Sequence, residues 1–248
     1  MKKHAAGWDT DAPSLAQFSE LFLHADRGKV TKESLQNFME GEKKEKSEPG
    51  FAWARHILGR DFIGPEELAK VSNMDYSKAQ IRKLVKILPS QKCLHDFHRN
   101  GYVLIVGPGY SMSVSDINQE FKADHYKVDE RTNEDMVEFG WLCLRKDPYP
   151  ESIGKTWQEQ LSLLLPGEQV ANIAEVVWGY FVYKAIRRED FFSNTVRTSS
   201  TIGIEGKHSC LAYVFNAPIV ACCCDDNPDG EFASIAVCRK DFRALVSP

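Results

Sequence analysis

Val170-Ala-Asn-Ile-Ala-Glu-Val-Val-Trp178-Gly-Tyr-Phe-Val-Tyr-Lys-Ala-Ile186 is the stretch on which the fold turns. Ala171, Ala174, Val177, Trp178, Phe181 and Val182 recur at three- and four-residue spacing, and apolar residues fill much of the rest. That pattern predicts a helix over 170–186 that other structure surrounds. After Asn194 the period shortens, and strands are expected near 194–201, 208–215, 218–224 and 232–238. Gly203 and Gly206, Asn216-Ala-Pro218 and Asp226-Asn-Pro-Asp-Gly230 supply the turns between them. Connections this short predict antiparallel neighbours, packed as a sheet on the long helix.

Reading back from the helix, Phe139-Gly-Trp-Leu-Cys-Leu-Arg145 alternates as a strand, with Leu142 and Leu144 on its inward face. Asp147-Pro-Tyr-Pro150 stops it, and a helix starts at Ser152 or Thr156 and runs to Leu165. Tyr102-Val-Leu-Ile-Val106 is a short apolar strand behind a helix that Ser90 caps, and Ser113 or Ser115 caps another over 114–121. Upstream the spacing is helical throughout, with helices over 51–58, from Gly64-Pro65, and over 77–88, preceded by two that Ser14 and Thr31 start. The expected organisation is a loose tail at 1–14, a helical region at 15–88 and an α+β domain at 89–248 that ends in a strand meander. The fold class is α+β: a helical N-terminal part, then a mainly antiparallel sheet on a long helix.

Composition narrows the classes of function. The 248 residues are 43% hydrophobic and 27% charged, enough apolar material for a substantial core. A formal net charge of −4 supplies no overall attraction to nucleic acid or anionic lipid. The first residues lack an apolar run behind Lys2 and Lys3, and no run approaches the length of a membrane span, so a cytoplasmic chain without membrane contact is expected. Seven cysteines, three of them adjacent at 222–224, fit a reducing compartment better than a disulfide framework. Gly107-Pro-Gly109 lacks the Lys-Ser/Thr of a phosphate loop, and Pro108 removes an amide donor, so it reads as a turn.

Three constellations carry chemistry. His208 and Cys210 share one face of a strand, as do Cys222 and Cys224. If the hairpin pairs 210 with 222 and 208 with 224, these are the donors of a Cys3His zinc site; a one-residue shift separates them. Flat ladder geometry converges poorly on one ion, so the expectation is buried free cysteines and no cofactor, with zinc as the lesser reading. Cys93, His95 and His98 form a similar incomplete set on a short helix. The second constellation is Arg197, Ser199, Asp225 and Asp226, which offers a guanidinium, a hydroxyl and carboxylates without a base placed to activate the hydroxyl. The third is Trp141, Arg145, Lys155, Trp157 and Gln160, a set able to stack and to contact phosphate, or to anchor an interface.

Gly28-Lys-Val-Thr31, Leu35-Gln36, Ile57-Leu-Gly59, Leu88-Pro-Ser90, Gly107-Pro108, Gly140-Trp141, Arg145-Lys146, Lys155-Thr-Trp157, Val196-Arg-Thr-Ser-Ser200 and Asp225-Asp226 occur in this order. In that order the chain resembles a paralogous family of uncharacterised proteins from candidate-phyla bacteria, from about residue 15 to residue 240. The resemblance implies a cytoplasmic bacterial protein and brings no activity, substrate or cofactor with it. The Cys and His residues at 93, 95, 98, 208, 210 and 222–224 stand outside the shared pattern. The expected function is a non-enzymatic binding or protein-interaction module with an unidentified protein partner. Single-stranded nucleic-acid binding through the Trp/Arg/Lys set is the alternative, and a small hydrolase or transferase built on the Arg/Ser/Asp cluster is the second.

Overall fold

Ser77, Ser90, Ser113, Thr156 and Asn172 each stand just before a helix, and the side chain of each accepts a hydrogen bond from the amide three residues on. Such caps satisfy the first unpaired amides and set where each helix starts. The computed structural model describes residues 49–123, 134–147, 149–192, 195–201, 207–214, 217–224 and 234–240. The chain divides into two units, Met1–Ser47 and Glu48–Pro248, and every described residue belongs to the second. The expected tail and the helices started by Ser14 and Thr31 lie outside the described residues.

The described helices are α1 (Pro49–Leu58), α2 (Pro65–Leu68), α3 (Lys78–Lys86), α4 (Gln91–Arg99), α5 (Val114–Glu120), α6 (Trp157–Leu161) and α7 (Ile173–Arg187). The strands are β1 (Phe62–Ile63), β2 (Tyr102–Val106), β3 (Met112–Ser113), β4 (Met136–Val137), β5 (Trp141–Arg145), β6 (Glu168–Val170), β7 (Val196–Thr201), β8 (Lys207–Val214), β9 (Ala217–Cys224), β10 (Ser234–Ile235) and β11 (Val237–Arg239). They form a five-stranded sheet in the order β1-β2-β5-β11-β6, a four-stranded sheet in the order β10-β7-β8-β9, and a small β3-β4 ladder. The class is α+β with mostly antiparallel pairing. None of the described helices is long and apolar enough to cross a membrane.

Several expectations change here. Two neighbours are parallel, β1 with β2 and β10 with β7, because in each case intervening structure carries the chain back before it pairs. The strand expected at 232–238 splits between the sheets: Ala236 donates its amide to the Arg197 carbonyl at 2.9 Å and accepts from the Ala171 amide at 2.8 Å. Both faces of β5 are covered, with Cys143 as fully buried as Leu144, because α7 packs on the Leu144 face while Phe51 of α1 and Cys93 of α4 lie on the other. The helix expected from Val170 begins at Ile173, since Asn172 and Glu175 exchange hydrogen bonds in a capping box and leave 168–170 to pair as β6. Residues 49–88 belong with the sheet, because β1 forms its edge beside β2.

Helix α7 is the packing axis. Trp178 is fully buried and donates its indole N–H to the Val106 carbonyl at 2.9 Å. A Cβ at position 179 would stand 2.3 Å from Leu144 Cδ1, so Gly179 is what lets the helix lie this close to β5. On the sheet's other face Trp141 packs edge-on to Phe51 with ring centroids 5.6 Å apart, and Phe97 of α4 meets Tyr102 at 5.7 Å.

Candidate functional site

Members of all three sequence constellations meet where α6 lies over β7 and β8. A capping box starts α6: Thr156 Oγ1 accepts from the Glu159 amide, and Glu159 Oε2 accepts from the Thr156 amide at 2.8 Å and its hydroxyl at 2.9 Å. Those two donors hold the exposed Glu159 carboxyl below its ordinary range. With the start of α6 set, Gln160 points inward and Trp157 lies one turn back. Gln160 is fully buried; its Oε1 accepts from Arg197 Nη1 at 2.9 Å and its Nε2 donates to the Ser152 carbonyl at 2.7 Å. Ser152 Oγ donates to the Tyr149 carbonyl at 2.6 Å and accepts from the Ile235 amide at 3.3 Å. Ile235 is the residue paired with Arg197 across β10 and β7, so Gln160 and Ser152 tie the buried guanidinium back to the strand beside its own.

Beside these bonds the Trp157 ring stacks on His208, centroids 3.8 Å apart and planes 23° from parallel. Arg197 lies opposite Cys210 and His208 opposite Thr201, with a register shift between the two pairs that marks a bulge in β7. The bulge carries Ser199, which is exposed while its amide donates to the Ala171 carbonyl at 2.9 Å. The next residue, Ser200, turns its hydroxyl oxygen to the Ile173 amide at 2.7 Å and so serves the start of α7. Thr198 and Ser209 share a hydrogen bond at 2.6 Å. The side chains of Arg197, Thr198 and Ser200 are thus committed to holding α6, α7 and β8 in place.

The remaining candidates fall elsewhere. Trp141 donates its indole N–H to the Leu84 carbonyl at 2.9 Å and is wedged between Phe51 and Phe62, away from the Trp157–His208 stack. The Arg145 guanidinium lies over the Tyr149 ring at 4.1 Å. Lys155 is half-buried just ahead of α6. Asp225 and Asp226 lie outside the described residues. The hairpin takes the register that separates the zinc donors: Cys210 faces Ala221, and His208 faces Cys223, so Cys222 and Cys224 are out of step with the His208–Cys210 face. The cause is the connection, since Val214 pairs directly with Ala217 and leaves two intervening residues rather than a turn at 216–218. Cys93 is buried and receives the Ser90 hydroxyl at 3.1 Å, whereas His95 and His98 are exposed on the same helix. Among the described residues no group of three or more His, Cys, Asp or Glu side chains is placed to hold a metal ion. Hollows of about 180 and 430 Å³ open around Asn73 and Glu120; Gly109 lines the smaller one, and neither includes a member of the three constellations.

One polar cluster has no counterpart in the sequence reading. Glu168, on edge strand β6, has a side chain 1% exposed. It accepts hydrogen bonds from the Tyr102 hydroxyl, from the Tyr149 hydroxyl at 2.7 Å and from the Leu165 amide at 2.7 Å. Arg239 Nη2 stands 4.0 Å away, and Arg239 Nη1 pairs with Asp96 at 2.9 Å. No local motif announces it: Glu168 and Tyr102 are 66 residues apart. Burial first, and then the Glu168 hydrogen bond, push the Tyr149 phenol up to about 12 and the Tyr102 phenol well up. A phenol pKa raised on folding adds stability that is complete below the unfolded value near 10 and is lost as pH rises through the folded value. Urea midpoints are therefore expected to fall between about pH 10 and about pH 12, and Tyr149→Phe to fall less steeply than the parent. Parallel curves for the two proteins would refute this assignment.

No protein-family model, curated protein or solved structure matches this chain.

Proposed function

We propose that this chain is a non-enzymatic interaction module that holds a protein partner on the surface around α6. The observation that carries this reading is the Trp157–His208 stack, whose tryptophan lies on a short stretch of chain, 153–165, that also exposes large apolar side chains: Ile153 is 39% and Leu165 48% exposed, and Leu161 shares a helix face with Trp157. Apolar side chains grouped beside a half-buried tryptophan form the centre of many protein interfaces. The polar groups speak for binding over chemistry. Arg197, the strongest catalytic candidate, is 1% exposed and spends a hydrogen bond on Gln160, which suits a guanidinium that positions strands rather than one that meets substrate. Stacking of bases is supported less well than a protein partner, because Trp157 is already covered by His208 and Trp141 is wedged between phenylalanines.

The test uses the whole chain as bait in a lysate of the source organism, followed by titration calorimetry with the purified partner. Leu165→Glu and Ile153→Glu are expected to weaken binding about 30-fold or more, while Tyr110→Glu, at a 61% exposed residue lining a different surface, leaves it unchanged. Equal affinity of all three variants would remove α6 from the interface. Tight, salt-dependent binding of a short single-stranded oligonucleotide that Trp157→Ala abolishes would move the assignment to nucleic acid.

A further inference from the structure

The edges of the two main sheets are handled unequally. β1 has two residues, β10 two and β6 three, and Phe62, Ile63, Ser234 and Ile235 are all buried. Short, covered edges of this kind offer no template for another strand. β9 is the exception. Among the described residues it is the terminal strand of its sheet, eight residues long, and pairs with β8 residue by residue from Val214↔Ala217 to Lys207↔Cys224 without a bulge. Its sequence, Ala217-Pro-Ile-Val-Ala-Cys-Cys-Cys224, contains no charged residue.

We infer that β9 pairs with β9 of a second copy of this chain, antiparallel about a two-fold axis, joining the two four-stranded sheets into one. The charge pattern favours a second copy over a different protein. Two-fold pairing sets the strand against its own sequence, so charges near the axis would face like charges across it. A strand chosen for a different partner can carry charges that the partner complements, and β9 carries none. Pro218 sets which backbone groups are available. A proline inside a sheet tolerates only the position whose nitrogen points away from the ladder, so at Tyr213↔Pro218 the nitrogen faces outward. Alternation then turns the amides of Val220, Cys222 and Cys224 outward as well, a row of donors with no partner strand among the described residues of one copy.

The experiment is sedimentation equilibrium of the full chain under reducing conditions, over a wide concentration range, beside Cys222→Pro and Cys222→Ser. A species of twice 28.1 kDa is expected. Cys222→Pro removes one outward amide from each copy and is expected to weaken the dimer about 10- to 100-fold, and Cys222→Ser, which keeps the amide, to leave it unchanged. Hydrogen exchange reads the same contact without a variant: the amides of Val220, Cys222 and Cys224 gain protection as the dimer fills. A monomer at every concentration overturns the inference, as does a dimer that vanishes on reduction or one that folded Cys222→Pro retains. Should Cys222→Pro fail to fold, exchange at those three amides that ignores concentration overturns it equally. The outcome is independent of partner binding at α6, because Leu165→Glu and Ile153→Glu leave β9 untouched.

Discussion

Glu168→Ala is expected to lower the unfolding free energy by about 3–5 kcal/mol. The carboxylate is surrounded by donors, and its removal takes a partner from each of them: two phenols, the Leu165 amide and a guanidinium whose side chain is 6% exposed. Each buried group left without a partner retains its full desolvation penalty, and the penalty is largest for the charge. Asp96 still pairs with Arg239, but its side chain is 27% exposed and lies on the solvent side of the pair. The check is a double-mutant cycle by urea unfolding. Arg239→Met combined with Glu168→Ala should be less destabilising than the two single changes added, because no buried charge then remains unpaired. Additive effects, or a loss under about 1 kcal/mol for Glu168→Ala, would show that β6 is held by packing alone.

Trp178→Ala is expected to have an effect of the same order, about 3–5 kcal/mol, with a steep loss of thermal stability. The indole is fully buried, lies edge-on to Phe121 with centroids 5.8 Å apart, and donates to the Val106 carbonyl at the end of β2. Truncation opens a cavity in a part of the core that cannot collapse, since α7 at Gly179 already rests directly on the Leu144 side chain of β5. Trp178→Phe separates the two contributions, restoring most of the volume while leaving the carbonyl without its donor. Its loss should be well under that of Trp178→Ala, and equal losses would assign the effect to the hydrogen bond.

Helix starts were the most legible part of this chain. Ser90 announces itself because a cap is decided within four residues, and for the same reason the pattern narrows the starts at Ser113 and Thr156 to one of two positions each. Asn172 with Glu175 carries the same signal, yet the apolar run from Val170 masked it, because helix and buried strand look alike over three residues. Residues 217–224 read correctly as a strand within one position, but that one position decided which cysteines share a face with His208. The candidate site was legible only in pieces. Arg197, Trp157, Gln160 and His208 were each singled out, but under three different chemistries, and their meeting on one face depends on contacts as distant as the 37 residues between Gln160 and Arg197.

The amino-acid sequence by itself determined the local features of this protein: its caps, the apolar axis of α7, the strand segments of its C-terminal third and the α+β class. These follow from interactions between residues a few positions apart, which composition and period report directly. Only the tertiary structure decided the register of the β8–β9 hairpin, the division of the strands at Ala236 into two sheets, and the Glu168 cluster. Those rest on pairing and burial between segments far apart in the chain, where many arrangements share the same local pattern and the packed core selects one.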